Sequence, residues 1–186
     1  MRITCNFKKI DMEENSVINW LNLYFKGNNI DENQLKSILH FSLLWNLFEN
    51  TYFTDEIHLN PLRLISLSEI SFEELDDVII DSSFDFFKSR YLDNNQTNNK
   101  FNLLQIHQST IQFCSDILHA SNPTKQEKVK FLFVVIHRFR NNLFHGRKHP
   151  KTLNIYKDVF NKINKFLMHF IECTSDNDDV NNNRHQ

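Results

Sequence analysis

The densest group of side chains that could act on a phosphate lies in residues 138–148, which read Arg-Phe-Arg-Asn-Asn-Leu-Phe-His-Gly-Arg-Lys. An imidazole titrates near neutral pH and suits proton transfer, and a guanidinium is a permanently charged, forked donor that suits a phosphate. We therefore take this run as the candidate site, with Arg140, Asn141 and His145 as its candidate residues and Arg138 as the alternative to Arg140.

Apolar residues precede this run at spacings of three and four, which predicts a helix with one face in a core. At about 100° per residue, Asn141 and His145 share a face, and Arg138 lies on nearly the same line. Arg140 lies about 140° from His145, so that only its long side chain or a distorted helix would bring it near the imidazole. Gly146 predicts the helix end, with His145 in the last turn or at the cap.

Two other readings of the cluster are structural or metal-based. Basic side chains near a helix C-terminus favourably oppose the macrodipole, and on spacing alone this reading is the better one. A metal site at His145 and His149 is disfavoured, because Gly146 interrupts the helix and no third ligand has fitting spacing. We expect no metal and no cofactor.

Two strings carry a family resemblance. The run Arg-Asn-x-x-x-His-Gly that begins at Arg140 resembles the Arg-x4-6-His motif of the HEPN superfamily, and the string Leu-Trp-Asn-Leu-Phe-Glu that ends at Glu49 is similar to Trp-x-x-Phe-Glu strings of that family. Their order along the chain also agrees. The similarity covers residues 13–173 in helical organisation but only these two strings at residue level.

The resemblance implies a metal-independent endoribonuclease. His145 would transfer protons at the ribose 2′-hydroxyl, and Arg140 would hold the phosphate. Asn141 would orient the imidazole or bind a phosphate oxygen, while Asn142 is expected to be a polar spacer. Glu49 would orient the motif arginine.

The resemblance also implies partners. RNA would be the substrate, held by Arg147 and Lys148, and a homodimer would bring two copies of the motif together. It implies a toxin or antiviral setting, with an antitoxin or regulatory protein as a further partner. Related toxins regulated by tyrosine modification often have Tyr where this chain has Arg147, which argues against that regulation.

Two functions of other classes remain open. One is a non-catalytic helical module whose basic end binds RNA, nucleotide or a protein partner. The other is a structural protein whose acidic helix face docks a basic partner. Cleavage of RNA in EDTA separates the enzyme from both.

Composition predicts an all-α fold, an antiparallel bundle of five to six helices. Two glycines and three prolines in 186 residues are too few for the many turns of a sheet protein. Three scattered cysteines indicate reduced thiols, and no signal peptide or apolar run of roughly 18 residues is present, so we expect a cytoplasmic protein without a membrane span.

Charge is divided unevenly along the chain. Residues 11–93 contain sixteen acidic and five basic residues, a net of −11, and residues 94–175 contain twelve basic and four acidic residues, a net of +8. A basic half that holds the candidate site suits a polyanion such as RNA. We expect the acidic half to face away from it or to face a partner.

In chain order we predict an arm (1–12), one helical domain (13–173) and a disordered tail (174–186). A capping box at Ser71 and Glu74 predicts a helix start there, and His107 should lie in the apolar seam of one long helix. Asn122 and Pro123 should begin the motif helix. The predicted helices are 13–26, 31–52, 71–91, 101–120, 122–145 and 153–173, with a flexible loop at 93–100.

Overall fold

A computed structural model describes residues 18–19, 21–22, 32–52, 72–144 and 155–174. Its helices are α1 (Glu32–Tyr52), α2 (Asp77–Tyr91), α3 (Asn99–Asn102), α4 (Gln108–His119), α5 (Lys125–Phe144) and α6 (Lys157–Thr174). The strands β1 (Leu92–Asp93) and β2 (Gln96–Thr97) form a small antiparallel hairpin. The predicted all-α class and helical bundle are confirmed.

Helix α5 is the centre of the bundle. Its stretch from Phe131 to Ile136 is buried on every side, because other helices surround it. The ring of Phe133 lies 5.3 Å from Phe48 of α1 and 4.7 Å from Phe170 of α6, centroid to centroid. Burial of several aromatic rings around one helix fixes where its last turns emerge at the surface.

Helices α1 and α6 pack along their length. The apolar stripe predicted for α1 is confirmed at its centre, where Ile38, Phe41, Trp45 and Phe48 are buried. Ring contacts join Phe41 to Phe160 and Phe48 to Phe170, so α1 and α6 run in the same direction.

The other pairs show both orientations. Helix α5 is antiparallel to α6, since Phe139 contacts Phe160 while Phe133 contacts Phe166. Helices α2 and α5 run in the same direction, since Lys125 pairs with Asp77 near both N-termini and Phe139 contacts Phe87 nearer both C-termini. Parallel neighbours are accessible here because neither pair is consecutive in the chain, so no short loop forces a reversal.

Helix α2 begins later than predicted. Its N-cap is Asp76, whose carboxylate accepts from the Val78 amide at 2.8 Å, whereas Ser71 lies outside the described residues. Glu74 belongs to a turn before the helix, and Leu75 in that turn is buried. The Asp76 side chain caps the helix, so the helix begins there and not at the capping-box pattern of Ser71 and Glu74 upstream.

Helix α5 also begins at a different cap. Thr124 and Glu127 form a reciprocal capping box, in which the Thr124 amide donates to Glu127 Oε2 at 2.8 Å and the Glu127 amide donates to Thr124 Oγ1 at 3.3 Å. The hydrogen bonds that Glu127 Oε2 accepts from the Thr124 amide and the Thr124 hydroxyl lower the pKa of Glu127. Asn122 and Pro123 precede the helix, so the predicted start was two residues too early.

The predicted helix 101–120 is wrong as one element. The chain ends α3 at Asn102, passes through Gln105 at φ 53° and starts α4 after His107. His107 is exposed and serves as the N-cap, its Nδ1 accepting from the Ser109 amide at 3.3 Å. It is therefore not in an apolar seam. Gln105, in the left-handed region, interrupts the helix that the apolar spacing predicted.

The segment 93–100, predicted as a flexible loop, contains a hairpin turn and the start of α3. Asn94 and Asn95 have φ of 50° and 60°, the left-handed pair that a two-residue hairpin turn requires. Asn98 then caps α3, its Oδ1 accepting from the Lys100 amide at 3.0 Å. Asparagine adopts the left-handed backbone conformation readily and also caps helices through its side-chain oxygen, which explains why it is frequent in this segment.

The acidic and basic halves meet instead of facing apart. Lys125 of α5 lies 2.9 Å from Asp77 of α2, and Lys128 lies 2.8 Å from Asp81, nitrogen to oxygen. Part of the predicted charge asymmetry is therefore neutralised between α2 and α5. Lysines of the second half that are paired in this way contribute little positive charge to a surface that could bind a polyanion.

The predicted chain ends fall mainly outside the described residues, as does most of the first predicted helix, of which residues 18–19 and 21–22 are helical. Thr174, assigned to the tail, is the last residue of α6. The described helices pack around one hydrophobic core. None of them combines the length and apolar character that crossing a membrane requires.

Candidate functional site

The site is built where the last turns of α5 pass the C-terminal half of α1. Arg140 Nη2 donates to Glu49 Oε1 at 3.2 Å, an ion pair between the two helices. Glu49 lies one turn beyond Trp45, whose burial in the core fixes the rotation of α1. The carboxylate therefore faces α5, and the arginine is its partner in the structure.

This ion pair is half-buried. The side chains of Arg140 and Glu49 are 31% and 29% exposed. A guanidinium that is anchored on one edge and open on another can still accept an anionic ligand, because it has five donors in a fixed plane. Arg140 Nε is buried and has no hydrogen-bond partner among the described residues, so the exposed part of the guanidinium lies elsewhere.

Two more contacts fix the guanidinium. Its Nη1 donates to Asn141 Oδ1 at 3.3 Å, and its central carbon lies 5.6 Å from the ring centroid of Phe144. Phe144 is 55% exposed. Arginine and an exposed aromatic ring, one helical turn apart, therefore lie side by side at the surface.

Asn141 connects Arg140 to a histidine. Its Nδ2 lies 3.2 Å from His137 Nε2, one turn earlier on α5. The imidazole of His137 lies nearly parallel to the Trp45 indole, at an interplanar angle of 23° and a centroid distance of 6.4 Å. Glu49, Arg140, Asn141 and His137 thus form one connected polar row between α1 and α5.

His137 differs electrostatically from an ordinary histidine. Burial, and then the positive charges of Arg138 and Arg140, lower its pKa to about 4. The imidazole is therefore neutral across physiological pH. It can act there as a hydrogen-bond partner but not as a cation.

Arg138 is directed elsewhere. Its Nε donates to the backbone carbonyl of Leu104 at 2.9 Å, which ties α5 to the connection between α3 and α4. Residues two apart on a helix point about 200° apart, so Arg138 and Arg140 lie on opposite sides of α5. Asn142, expected to be a polar spacer, is buried.

His145, Arg147 and Lys148 lie outside the described residues, as do Gly146 and His149. Their predicted roles stay predictions. Helix α5 is continuous through Phe144, so the described part of the motif is helical without interruption.

No family model, curated protein or solved structure matches this chain. The site is therefore interpreted from its own residues. Within the described part of the chain, no group of three or more His, Cys, Asp or Glu side chains is placed to hold a metal ion.

Sequence reasoning missed two residues of this site, His137 and Phe144. The signal for His137 was its spacing of four from Asn141, which places both on one side of a helix. The signal for Phe144 was the same spacing from Arg140. Both signals are weak alone, because such pairs are common on helices.

The arrangement holds the Arg140 guanidinium in a fixed orientation in which it can bind an anion. One guanidinium, positioned by a carboxylate, an amide and an aromatic ring, is pre-organised and has lost much of its rotamer freedom before a ligand arrives. Such a group stabilises charge that develops on a phosphate without having to reorganise.

Proposed function

We propose that this protein is a metal-independent endoribonuclease of HEPN type that acts as a homodimer. Its setting would be cytoplasmic toxin activity or antiviral defence, with an antitoxin or regulatory protein as a further partner. Arg140, Asn141 and His145 would form the catalytic group, supported by Glu49. No cofactor is required in this mechanism.

The observation that carries the proposal is the ion pair between Arg140 and Glu49. These residues are 91 positions apart, and each belongs to one of the two strings on which the resemblance rests. Neither string predicts the contact by spacing. Their meeting supports the view that the two strings form one site.

The proposed reaction needs a proton acceptor and a charge stabiliser. His145 would remove the proton of a ribose 2′-hydroxyl, whose oxygen attacks the adjacent phosphorus and releases the 5′-oxygen of the next nucleotide, which takes up a proton. Arg140 would stabilise the extra negative charge on the phosphorane oxygens. Asn141 would orient the imidazole or bind a phosphate oxygen. The proton donor would be the His145 of a second copy.

Phe144 fits a single-stranded RNA substrate. An exposed aromatic ring beside an arginine offers a nucleobase a stacking surface and its phosphate a cation. Arg147 and Lys148 would extend the phosphate contacts beyond the helix end. Arg138, bonded to Leu104, is assigned a structural rather than a catalytic role.

The test is cleavage of a mixed-sequence RNA in EDTA by the full chain and its variants. We expect His145→Ala and Arg140→Ala each to lower the rate at least about 100-fold. His149→Ala is the matched control, since it removes the neighbouring imidazole, and it should cleave at close to the wild-type rate. Lys165→Ala, at an exposed position of α6, controls for the loss of one positive charge.

Two results would overturn the assignment. RNA bound but left intact by the wild type would show a non-catalytic binding module. Cleavage abolished by EDTA and by both His145→Ala and His149→Ala would show a metal site instead. Circular dichroism and thermal melting of each variant separate lost chemistry from lost fold.

A further inference from the structure

His137 makes a contact that the proposed reaction does not use. It lies on α5 between the core and the site, with Trp45 on one side and Asn141 one turn ahead. Core packing alone would be satisfied by an apolar side chain of similar size. The nitrogen-to-nitrogen distance of 3.2 Å to the Asn141 amide points to a more specific role.

The direction of the hydrogen bonds along the polar row follows from Arg140. A guanidinium can only donate, so the Asn141 atom 3.3 Å from Arg140 Nη1 must be the carbonyl oxygen Oδ1. The amide nitrogen Nδ2 then faces His137 and must donate to it. His137 Nε2 must therefore carry a lone pair, and the ring proton must be on Nδ1.

A second proton on His137 would break this order. Protonated Nε2 would be a donor facing the donor Nδ2, and Asn141 would have to turn its oxygen away from Arg140. The charged groups around the imidazole oppose that proton, because Arg138 and Arg140 on α5 are cationic and Trp45 of α1 excludes water from one face. Glu49 of α1 is engaged by Arg140.

We propose that His137 is a positioning residue, a neutral imidazole protonated on Nδ1 that fixes the Asn141 amide and thereby the direction in which Arg140 presents its guanidinium. The hydrogen-bond order is a property of the folded chain. Its consequence for cleavage rests on the proposed function.

The tautomer is tested directly by NMR. Long-range ¹H–¹⁵N correlation spectra of histidine-labelled protein distinguish the two neutral forms and the cation, and the His137→Gln spectrum identifies the resonance among the nine histidines. We expect the Nδ1-protonated form from pH 8 to about pH 5.5. A ring protonated on Nε2, or a cation near pH 6.5, would overturn the proposal.

Two variants separate the lone pair from packing. His137→Gln supplies an amide oxygen that can accept from Asn141, whereas His137→Leu retains apolar contact with Trp45 but has no acceptor. We expect the Asn141 side-chain amide resonances to move towards solvent-exposed values in the Leu variant and to stay near the wild-type values in the Gln variant. Equal behaviour of the two variants would refute the positioning role.

Kinetics gives the second readout. In an active protein, His137→Leu should lower kcat about tenfold with KM little changed, because a misdirected guanidinium affects the transition state more than binding. His137→Gln should recover to within about threefold of the wild type. If the wild type cleaves no RNA, the proposed function fails and the NMR result alone decides the role of His137.

Discussion

At the scale of single residues, burial sets the exposure of Arg140 and the protonation state of His137, the two side chains on which the site depends. Arg140 has one edge on Glu49 and one on Asn141 but stays partly open to solvent. His137, one turn below, is buried enough to stay neutral. The guanidinium is thus held in one orientation, and 31% of the Arg140 side chain stays exposed.

Replacing Glu49 by Gln should weaken both the fold and the site. The variant keeps an acceptor but loses the charge, so we expect unfolding free energy to fall by about 1 kcal/mol and RNA cleavage to fall about tenfold. Urea denaturation and initial rates in EDTA measure the two effects. Glu172→Gln, on an exposed position of α6, makes the same chemical change and should alter neither.

The low pKa of His137 predicts a pH dependence of stability. In the unfolded chain the imidazole takes up a proton near pH 6.5, whereas in the folded protein it does so near pH 4. The unfolded state therefore binds more protons as pH falls from about 6.5 to about 4, and stability should decline by up to about 3 kcal/mol over that window. Urea unfolding between pH 7.5 and 4 measures this slope.

His137→Gln is the control for this prediction, because it removes the titrating group while retaining an acceptor. Its stability should decline less over the same window, by roughly the amount assigned to His137. Equal slopes for the two proteins would contradict the lowered pKa. Other histidines and carboxylates titrate in both proteins and cancel in the comparison.

At the scale of elements, the periodic apolar stripes of α1, α5 and α6 were predictable, because a helix that faces a core repeats its large side chains every three or four residues. Their ends were less predictable. Thr124, Asp76 and His107 each cap a helix, and any of several Asn, Asp, Ser and Thr residues nearby could have done so from sequence alone. Tertiary contacts select among them.

The capping box of α5 is testable. Thr124→Ala removes the hydroxyl that accepts from the Glu127 amide and donates to its carboxylate, so unfolding free energy should fall by about 1 kcal/mol. Thr51→Ala is the matched control, since among the described residues its hydroxyl donates to the Leu47 carbonyl within α1 and caps no helix start, and we expect a change below about 0.5 kcal/mol. Equal losses in urea denaturation would show that the cap is not formed.

In the site, too, the sequence indicated the candidate residues, but tertiary contacts selected among them. The motif spacing around Arg140 and the string ending at Glu49 were visible in the sequence, and the resemblance implied that Glu49 orients the motif arginine. Which arginine pairs with it did not follow. Arg138 and Arg140 differ by two positions, and only the packing of α5 against α1 directs Arg140 to Glu49 and Arg138 to Leu104.

At the scale of the whole molecule, the helices around α5 leave its last turn at the surface, with Phe144 exposed beside Arg140. The proposed cleavage needs two imidazoles, one as proton acceptor and one as proton donor, and each copy of the motif supplies one. A second copy related by a twofold axis would present the same surface in return, since contacts across such an axis are reciprocal. The homodimer is thus part of the proposed mechanism.

A shared site predicts dominant inhibition by an inactive copy. Wild-type chains are mixed and re-equilibrated with roughly ninefold excess of His145→Ala, so that most wild-type chains pair with a variant chain. If both imidazoles act in one cleft, cleavage per wild-type chain should fall about tenfold. The same excess of His149→Ala, which retains the motif and itself cleaves, should leave the rate per total chain unchanged. Unchanged activity per wild-type chain would show that each copy cleaves alone. Co-purification of the untagged variant with an affinity-tagged wild-type chain confirms that mixed dimers have formed.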